Sequence, residues 1–493
     1  MTTVQAVETF DSLDPATDEV LGTYPVHTAE QVEAAVARAR EAARWWEQLG
    51  FAGRAQRLAS WRGIIARRLP ELCEVVRREN GKPAGDAQLE IVLAIEHLAW
   101  AAKHARKILG PQRRSPGLLL SNQAATVEYH PLGVVGVIGP WNYPVYTPLG
   151  SVSYALAAGN AVVFKPSEYT PGIGTWLADT FAEAVPEHPV LQVITGFGAT
   201  GAALANSGVD KIAFTGSATT GKKVMAAAAE TLTPVVIEAG GKDPLLVDAD
   251  ADVEAAADAT VWGAFSNAGQ TCTGVERVYV HERVYDDFVA RVVEKTKRVD
   301  AGTQYGPMTM PSQLEVVRRH IADALARGGR ALVGGKDAVG DRFVRPTVLV
   351  DVPEDSAAVR EETFGPTVTI AKVADMDEAV EKANDSVYGL GSTVFSKRRG
   401  MELARRLRTG QTAINAPLSF AGIASLPFGG LGDSGFGRIH GPEGLREFAR
   451  PKAIARQRFT APVALTSFTR TAKTDALVGK LIGKLHGKQR DKH

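Results

Sequence analysis

At 493 residues the chain is too long for one core of ordinary size and calls for two or three domains. A composition of 45% hydrophobic and 23% charged residues fits a globular protein, and a formal net charge of +1 gives no bias toward nucleic acid or acidic surfaces. Two cysteines cannot form a disulfide framework, which fits a reducing compartment.

The residues through Asp11 hold acids and no apolar run, so no secretory signal is read there. The longest apolar stretches, such as Leu132 to Ile138, are far too short to span a bilayer. A cytoplasmic enzyme is expected.

Thr28 to Leu49 reads as a helix, because Thr28 and Gln31 form a capping-box pattern and Val32, Val36, Ala39 and Ala43 share one face. Gly53 to Asn80 reads as a second helical stretch and Glu90 to Leu109 as a third. Polar residues interrupt from Gln112 to Ser121, and Ala124 to His130 reads as a hairpin strand. From Gly133, short β-branched runs alternate with helical ones. Val134–Ile138, Ala161–Lys165, Leu191–Thr195 and Lys211–Thr215 are strand-like. Pro148–Ala158, Pro171–Ala184, Ala199–Asn206 and Thr219–Glu230 are helical. This alternation predicts a parallel sheet covered by helices on both faces. Asp252 to Ala268 reads as helical. Tyr279, Val280 and a helix over Tyr285 to Arg298 open a second α/β region that runs to about Ile414.

Several loops carry candidate chemistry. Gly139-Pro140-Trp141-Asn142-Tyr143-Pro144 follows a strand, and the Asn142 amide could stabilise an oxyanion, though a turn asparagine is the plainer reading. Lys165-Pro166-Ser167-Glu168 ends a strand and could meet ribose hydroxyls, or be a solvated pair. Phe214-Thr215-Gly216-Ser217 leads from a strand into a helix start, a place that suits a pyrophosphate. Its spacing is not Gly-x-Gly-x-x-Gly, so alone it reads as structural. Glu238 lies in Glu238-Ala239-Gly240-Gly241-Lys242 and Cys272 in Gly269-Gln270-Thr271-Cys272, which reads as a base and a nucleophile in separate glycine-rich turns. A lone cysteine is more often an inert buried thiol, and a lone acid a salt-bridged one. No histidine or cysteine spacing suits a metal.

With Glu362-Thr363-Phe364-Gly365-Pro366 and Pro427-Phe428-Gly429-Gly430, these motifs stand in the order found in the NAD(P)-dependent aldehyde dehydrogenase superfamily, which the chain closely resembles over about residues 10–459. The resemblance implies an α/β fold: a Rossmann-like cofactor domain (1–115 and 133–240), a second α/β catalytic domain (241–448) and a small bridging β oligomerisation element (116–132 and 449–460). A basic tail (461–493) follows. It implies Cys272 as nucleophile, Glu238 as the base that hydrolyses the thioester, and Asn142 with the Cys272 backbone N–H as oxyanion donors. A thiol pKa lowered toward neutrality would supply the thiolate.

Cofactor contacts implied by the resemblance fall on Gly139, Pro140, Trp141, Lys165, Ser167, Glu168, Gly198, Gly216, Ser217, Ala239, Glu362 and Phe364. Glu168 favours NAD, since a 2′-phosphate would meet its charge, while Lys165 and Ser167 leave NADP open. The wall segment with Ile423 and Phe428, together with Tyr143, Tyr146 and Trp262, implies a pocket for an aliphatic or aromatic aldehyde. A semialdehyde acid ranks second, because no arginine in these segments is placed to grip a carboxylate. A coenzyme A-dependent acylating enzyme is disfavoured by Glu238, and a non-catalytic family member by the joint presence of Cys272, Glu238 and Asn142. Assembly as a homodimer or homotetramer is implied.

Three departures from the family pattern stand out. Ala239 replaces the usual leucine after the base. Arg450 occupies the place of a second glutamate in many members, so no second proton relay is assigned there. Thr271 and Thr273 flank Cys272, so it cannot form a disulfide with a neighbour.

Beyond Phe459, Thr474 to Lys488 places Leu477, Leu481 and Leu485 beside Val478 and Ile482, with Lys480, Lys484 and Lys488 on an adjoining stripe. This is a short basic amphipathic helix, weakened by Gly479, Gly483 and Gly487 at about 1 kcal/mol each. A loose tail ranks first, an arm on a partner subunit second, and contact with an anionic membrane third.

Overall fold

The computed structural model describes residues 8–460 and 465–487. The start of the N-terminal reading (residues 1–7) and Lys488 lie outside the described residues. Chain contacts divide the molecule into two compact units, one of Met1–Leu109 with His130–Arg450, the other of Gly110–Tyr129 with Pro451–His493.

The first unit holds two open sheets. One has six strands in the order Gly435–Phe436, Val235–Ala239, Lys211–Gly216, Val134–Ile138, Ala161–Lys165, Leu191–Val193. All neighbours are parallel except the antiparallel edge Gly435–Phe436. The chain lays down Val134–Ile138 first, builds outward to one side, then returns to the other through Lys211–Gly216. The boundary between those two strands is where a crevice opens at the carboxyl ends of an α/β sheet. Residues 134–137 and 161–164 are runs of apolar residues buried on both faces, as helix-covered parallel strands require.

The other sheet has seven strands in the order Arg330–Val333, Thr347–Val350, Thr367–Val373, Val275–His281, Asp243–Val247, Gly391–Phe395, Gln411–Ile414. Alternation splits its core in two. Val278 and Val280 pack with Phe288 and Val292 on one face, and Tyr279 packs with Met376 and Leu403 on the other. The second unit carries a three-stranded sheet in the order Ala449–Gln457, Gln123–Pro131, Gln112–Arg114.

The expected elements recur with some corrections. The helix Ala29–Gln48 begins at the Thr28–Gln31 capping box. The single stretch read over Gly53 to Asn80 is two helices, Gly50–Arg67 and Leu69–Asn80. Pro70 sits in the first turn of the second, where its missing N–H costs nothing, but it cannot continue the first. The third helix begins earlier, at Ala84. Asp252 to Ala268 is not helical throughout: the helix is Val253–Phe265, and Asn267 and Ala268 then take left-handed φ of 52° and 57°. The hairpin partner of Gln123–Pro131 is Gln112–Arg114, inside the segment read as an interruption. The strands Thr9–Leu13 and Val20–Pro25, an N-terminal hairpin, have weak apolar alternation and were not anticipated.

Candidate active site

Glu238 does not sit in a glycine-rich turn. It is the fourth residue of the strand Val235–Ala239, opposite Thr215 on one side and Gly435 on the other. The strand therefore fixes its carboxylate at the carboxyl end of the six-stranded sheet. Thr215 Oγ1 donates to Glu238 Oε2 at 3.1 Å, and Cys272 Sγ lies 3.6 Å from Oε1 as a thiol donor. Burial pushes the Glu238 carboxyl up to about 7, against the opposing pull of these two hydrogen bonds.

Cys272 lies in the turn before the strand Val275–His281. Three glycines allow the approach. Gly269 has φ +70° and packs so closely on the Gly365 backbone that a Cβ would lie 2.2 Å from it. A Cβ on Gly241 would lie 2.9 Å from the Cys272 carbonyl oxygen, and one on Gly240 would overlap the Glu362 carboxylate. The thiol pKa is not lowered, contrary to expectation. Burial, with the negative charges of Glu238, Asp243 and Glu362, pushes it well above its ordinary value. Cys272 is thus held as a neutral thiol beside the Glu238 carboxyl group.

Asn142 is buried, and its Nδ2 donates to the Gln270 carbonyl at 3.0 Å, two residues before Cys272. An amide carries a second N–H beside the one given to Gln270. The loop's backbone is clamped from several directions. Asn80 Nδ2 donates to the Trp141 carbonyl at 2.9 Å. Lys82 Nζ and Asn267 Nδ2 donate to the Asn142 carbonyl at 2.9 and 3.1 Å. Lys82 is ion-paired to Glu90, both side chains fully buried, and Glu90 Oε1 accepts from the Val145 and Tyr146 N–H groups. Sequence reasoning missed Asn80, Lys82, Glu90 and Asn267. All four are buried, Glu90 on a helix and Lys82 in the loop between two helices, and burial is not displayed by a sequence.

A cavity of about 210 Å³ opens on Cys272 and Glu238, lined also by Tyr143, Tyr146, Trp262 and Phe428. Leu89, Leu93, Pro417, Leu418 and Ile439 add apolar wall. Tyr143 bonds Thr271 Oγ1 at 3.0 Å under the Lys82 ammonium, and Tyr146 donates to the Ala421 carbonyl at 2.7 Å. His97 and His440 pack on the Tyr146 ring and are kept neutral by burial, His97 down at about 4. Ile423 does not join this wall. It is 46% exposed, and Ala421 and Gly422 line the cavity in its place.

The expected cofactor residues fall into three groups. At the sheet crevice, the Gly139 N–H donates to the Lys165 carbonyl, and a Cβ on Gly139 would meet Pro148 at 2.7 Å. Pro140 and Trp141 follow, with the indole edge-on to Phe364 at 5.5 Å. Ser217 caps the helix Ala218–Ala229 directly after Gly216, and Ala239 is buried beside them at the strand end. Lys165 Nζ is 3.5 Å from Glu168 Oε2, to which Ser167 Oγ also turns at 3.4 Å. A second cavity, about 270 Å³, is lined by Glu168, Tyr169 and Phe197, next to Gly198 at its helix start. Glu362 Oε1 accepts from the Gly241 N–H at 3.1 Å, and burial pushes its carboxyl up to about 8. Phe364, at φ 49°, is held by its N–H to Glu276 Oε1 at 3.0 Å, and Glu276 is ion-paired with buried Lys242. These groups fit a dinucleotide: a capped helix start for phosphates, carboxylates for ribose hydroxyls and an aromatic edge. Among the described residues no cluster of His, Cys, Asp or Glu suits a metal ion.

A model of the aldehyde dehydrogenase family matches residues 2–454. The chain belongs to the aldehyde dehydrogenase family. It is an NAD(P)-dependent oxidoreductase acting on aldehydes. Among its relatives, a protein of Methylomonas sp named 4,4'-diapolycopene aldehyde oxidase is 38% identical over 92% of this chain and 85% of that relative. One from Mycobacterium ulcerans, named putative succinate-semialdehyde dehydrogenase [NADP(+)] 2, is 38% identical over 90% and 87%. The crystal structure of an NAD-dependent aldehyde dehydrogenase from Sinorhizobium meliloti superposes with TM-score 0.88 at 34% identity, covering 93% of each chain.

Proposed function

We propose that this dehydrogenase oxidises a neutral, apolar aldehyde to its acid through a thioester on Cys272. The observation that carries the reading is the Cys272–Glu238 contact at the end of an apolar cavity. Glu238 Oε1 takes the proton of Sγ, and the thiolate attacks the carbonyl carbon as the C=O electron pair moves to oxygen. The second N–H of Asn142 and the Cys272 backbone N–H stabilise that oxyanion, at about 2.7–4 kcal/mol per donor. When bound, NAD(P)+ supplies the hydride acceptor. Collapse of the oxyanion leaves an acyl group on Sγ. Glu238, having released the first proton, then takes one from water. The C–S bond breaks, the acid leaves and the thiolate returns.

Lys165, Ser167 and Glu168 hold the adenosine ribose, the Gly216–Ser217 helix start the pyrophosphate, and Glu362 with Phe364 the nicotinamide ribose. Gly139, Pro140, Trp141, Gly198 and Ala239 shape the channel. Glu168 ranks NAD ahead of NADP. In domain terms, 1–115 with 133–240 binds cofactor, 241–448 supplies the nucleophile, and 116–132 with 449–460 joins subunits of a homodimer or homotetramer in the cytoplasm. The exposed edge strand Ala449–Gln457 supports the last role.

The substrate reading rests on charge. The lining contains no arginine, its one lysine is the fully buried Lys82 bonded to Glu90, and Asp86 adds a negative group. A carboxylate on the substrate aldehyde would meet repulsion there. Of the relatives' names, 4,4'-diapolycopene aldehyde fits this wall better than succinate semialdehyde. A panel of aliphatic, aromatic and ω-carboxylated aldehydes with NAD and NADP tests the reading. Aliphatic and aromatic aldehydes should lead in kcat/KM by at least about tenfold, the order expected of one unfavourable polar contact. A preference for the ω-carboxylated aldehyde would reject it.

A further inference from the structure

The C-terminal helix Ala472–His486 plays no part in the chemistry above. Its apolar residues fall on one arc: Leu477, Leu481 and Leu485 at successive turns, with Val478 and Ile482 beside them. None of the helix's side chains is buried, and Leu477 is 56% exposed. An isolated helix of this length with two internal glycines, Gly479 and Gly483, is marginal in water, so it needs a surface to stabilise it.

Charge decides which surface. Lys473, Lys480 and Lys484 flank the leucine edge along one side, and the sequence beyond continues Lys488, Arg490 and Lys492, against few acids. Two copies of such a face brought together would set lysine against lysine. A bilayer rich in acidic lipids accepts the leucines among its acyl chains and the ammonium groups at its phosphates. The helix is too short to cross: among the described residues no helix is long and apolar enough to do so.

We infer that Ala472–His486 is an interfacial helix that docks the enzyme on anionic lipid surfaces. It reverses the ranking drawn from sequence, where contact with a membrane stood last. The inference is independent of which aldehyde is oxidised.

The test is co-sedimentation of the full-length enzyme with vesicles of phosphatidylglycerol and phosphatidylcholine, or of phosphatidylcholine alone. The enzyme should pellet with the first and stay in solution with the second. A Leu477→Asp, Leu481→Asp, Leu485→Asp variant should lose binding by about tenfold or more, and Lys480→Glu, Lys484→Glu should weaken it too. Both variants should oxidise a short water-soluble aldehyde at the unaltered rate and keep their mass by light scattering. Failure of the parent to pellet with anionic vesicles, or equal pelleting by the leucine variant, overturns the inference. So does a smaller assembly in the leucine variant, which would assign the face to a second copy of the chain.

Discussion

Glu238 and Glu90 are both buried glutamates beside the same cavity, yet they are placed for opposite ends. Glu90 is locked to Lys82 and spends one oxygen on two backbone N–H groups. These contacts hold the loop that carries Asn142. Glu238 meets a hydroxyl and a thiol, and burial lifts its carboxyl to about 7. A buried charge with a cation and backbone donors is a strut, while a buried charge with only weak donors is free to exchange a proton near neutral pH.

Changes on the two sides should therefore fail differently. The largest effect is expected from Cys272→Ala, which removes the acyl carrier. NAD(P)H formation should vanish while cofactor binding, followed by fluorescence titration, stays intact, and undiminished turnover would refute covalent catalysis. On the strut side, Lys82→Met should destabilise by about 3–5 kcal/mol in urea unfolding, because Glu90 is left buried and unpaired. Adding Glu90→Gln should recover part of that loss. A smaller change separates the proton-exchanging side. When thioester hydrolysis limits turnover, the rate should fall as pH drops through about 7, since Glu238 must be ionised to accept a proton from water. The Thr215 hydroxyl lowers that pKa. Thr215→Val should move the profile to higher pH by about one pH unit, as loss of a hydrogen bond to a charged group implies. A profile that stays in place would remove Glu238 as the titrating group. The smallest effect is expected from Tyr143→Phe, whose lost contact with Thr271 is worth about 0.5–1.5 kcal/mol in stability.

What was legible in the sequence follows the same division. The residues proposed for chemistry stand in short motifs whose order gave the family away, and the alternating Val-rich runs announced the parallel sheets. The struts were illegible because they act through backbone atoms across long stretches of chain. Asn80 reaches Trp141, and Asn267 reaches Asn142, with no spacing to announce either. The strand under Glu238 was hidden because it is short and ends in glycines, so the motif read as a turn. The helix end at Phe265 was hidden because Asn267 and Ala268 adopt left-handed backbone, which alanine rarely takes and no pattern foretells. Ile423 was misplaced because an apolar segment does not tell which of its residues face inward.

The central claim is that the Glu238 carboxylate activates the water that hydrolyses the thioester. Rapid mixing of Glu238→Gln with aldehyde and NAD at high pH, where Cys272 ionises without help, tests it most directly. The account predicts a burst of NADH equal to the active sites, followed by steady turnover slowed by about 10²–10⁴-fold. A steady rate equal to that of the parent enzyme would contradict it and assign water activation to another group.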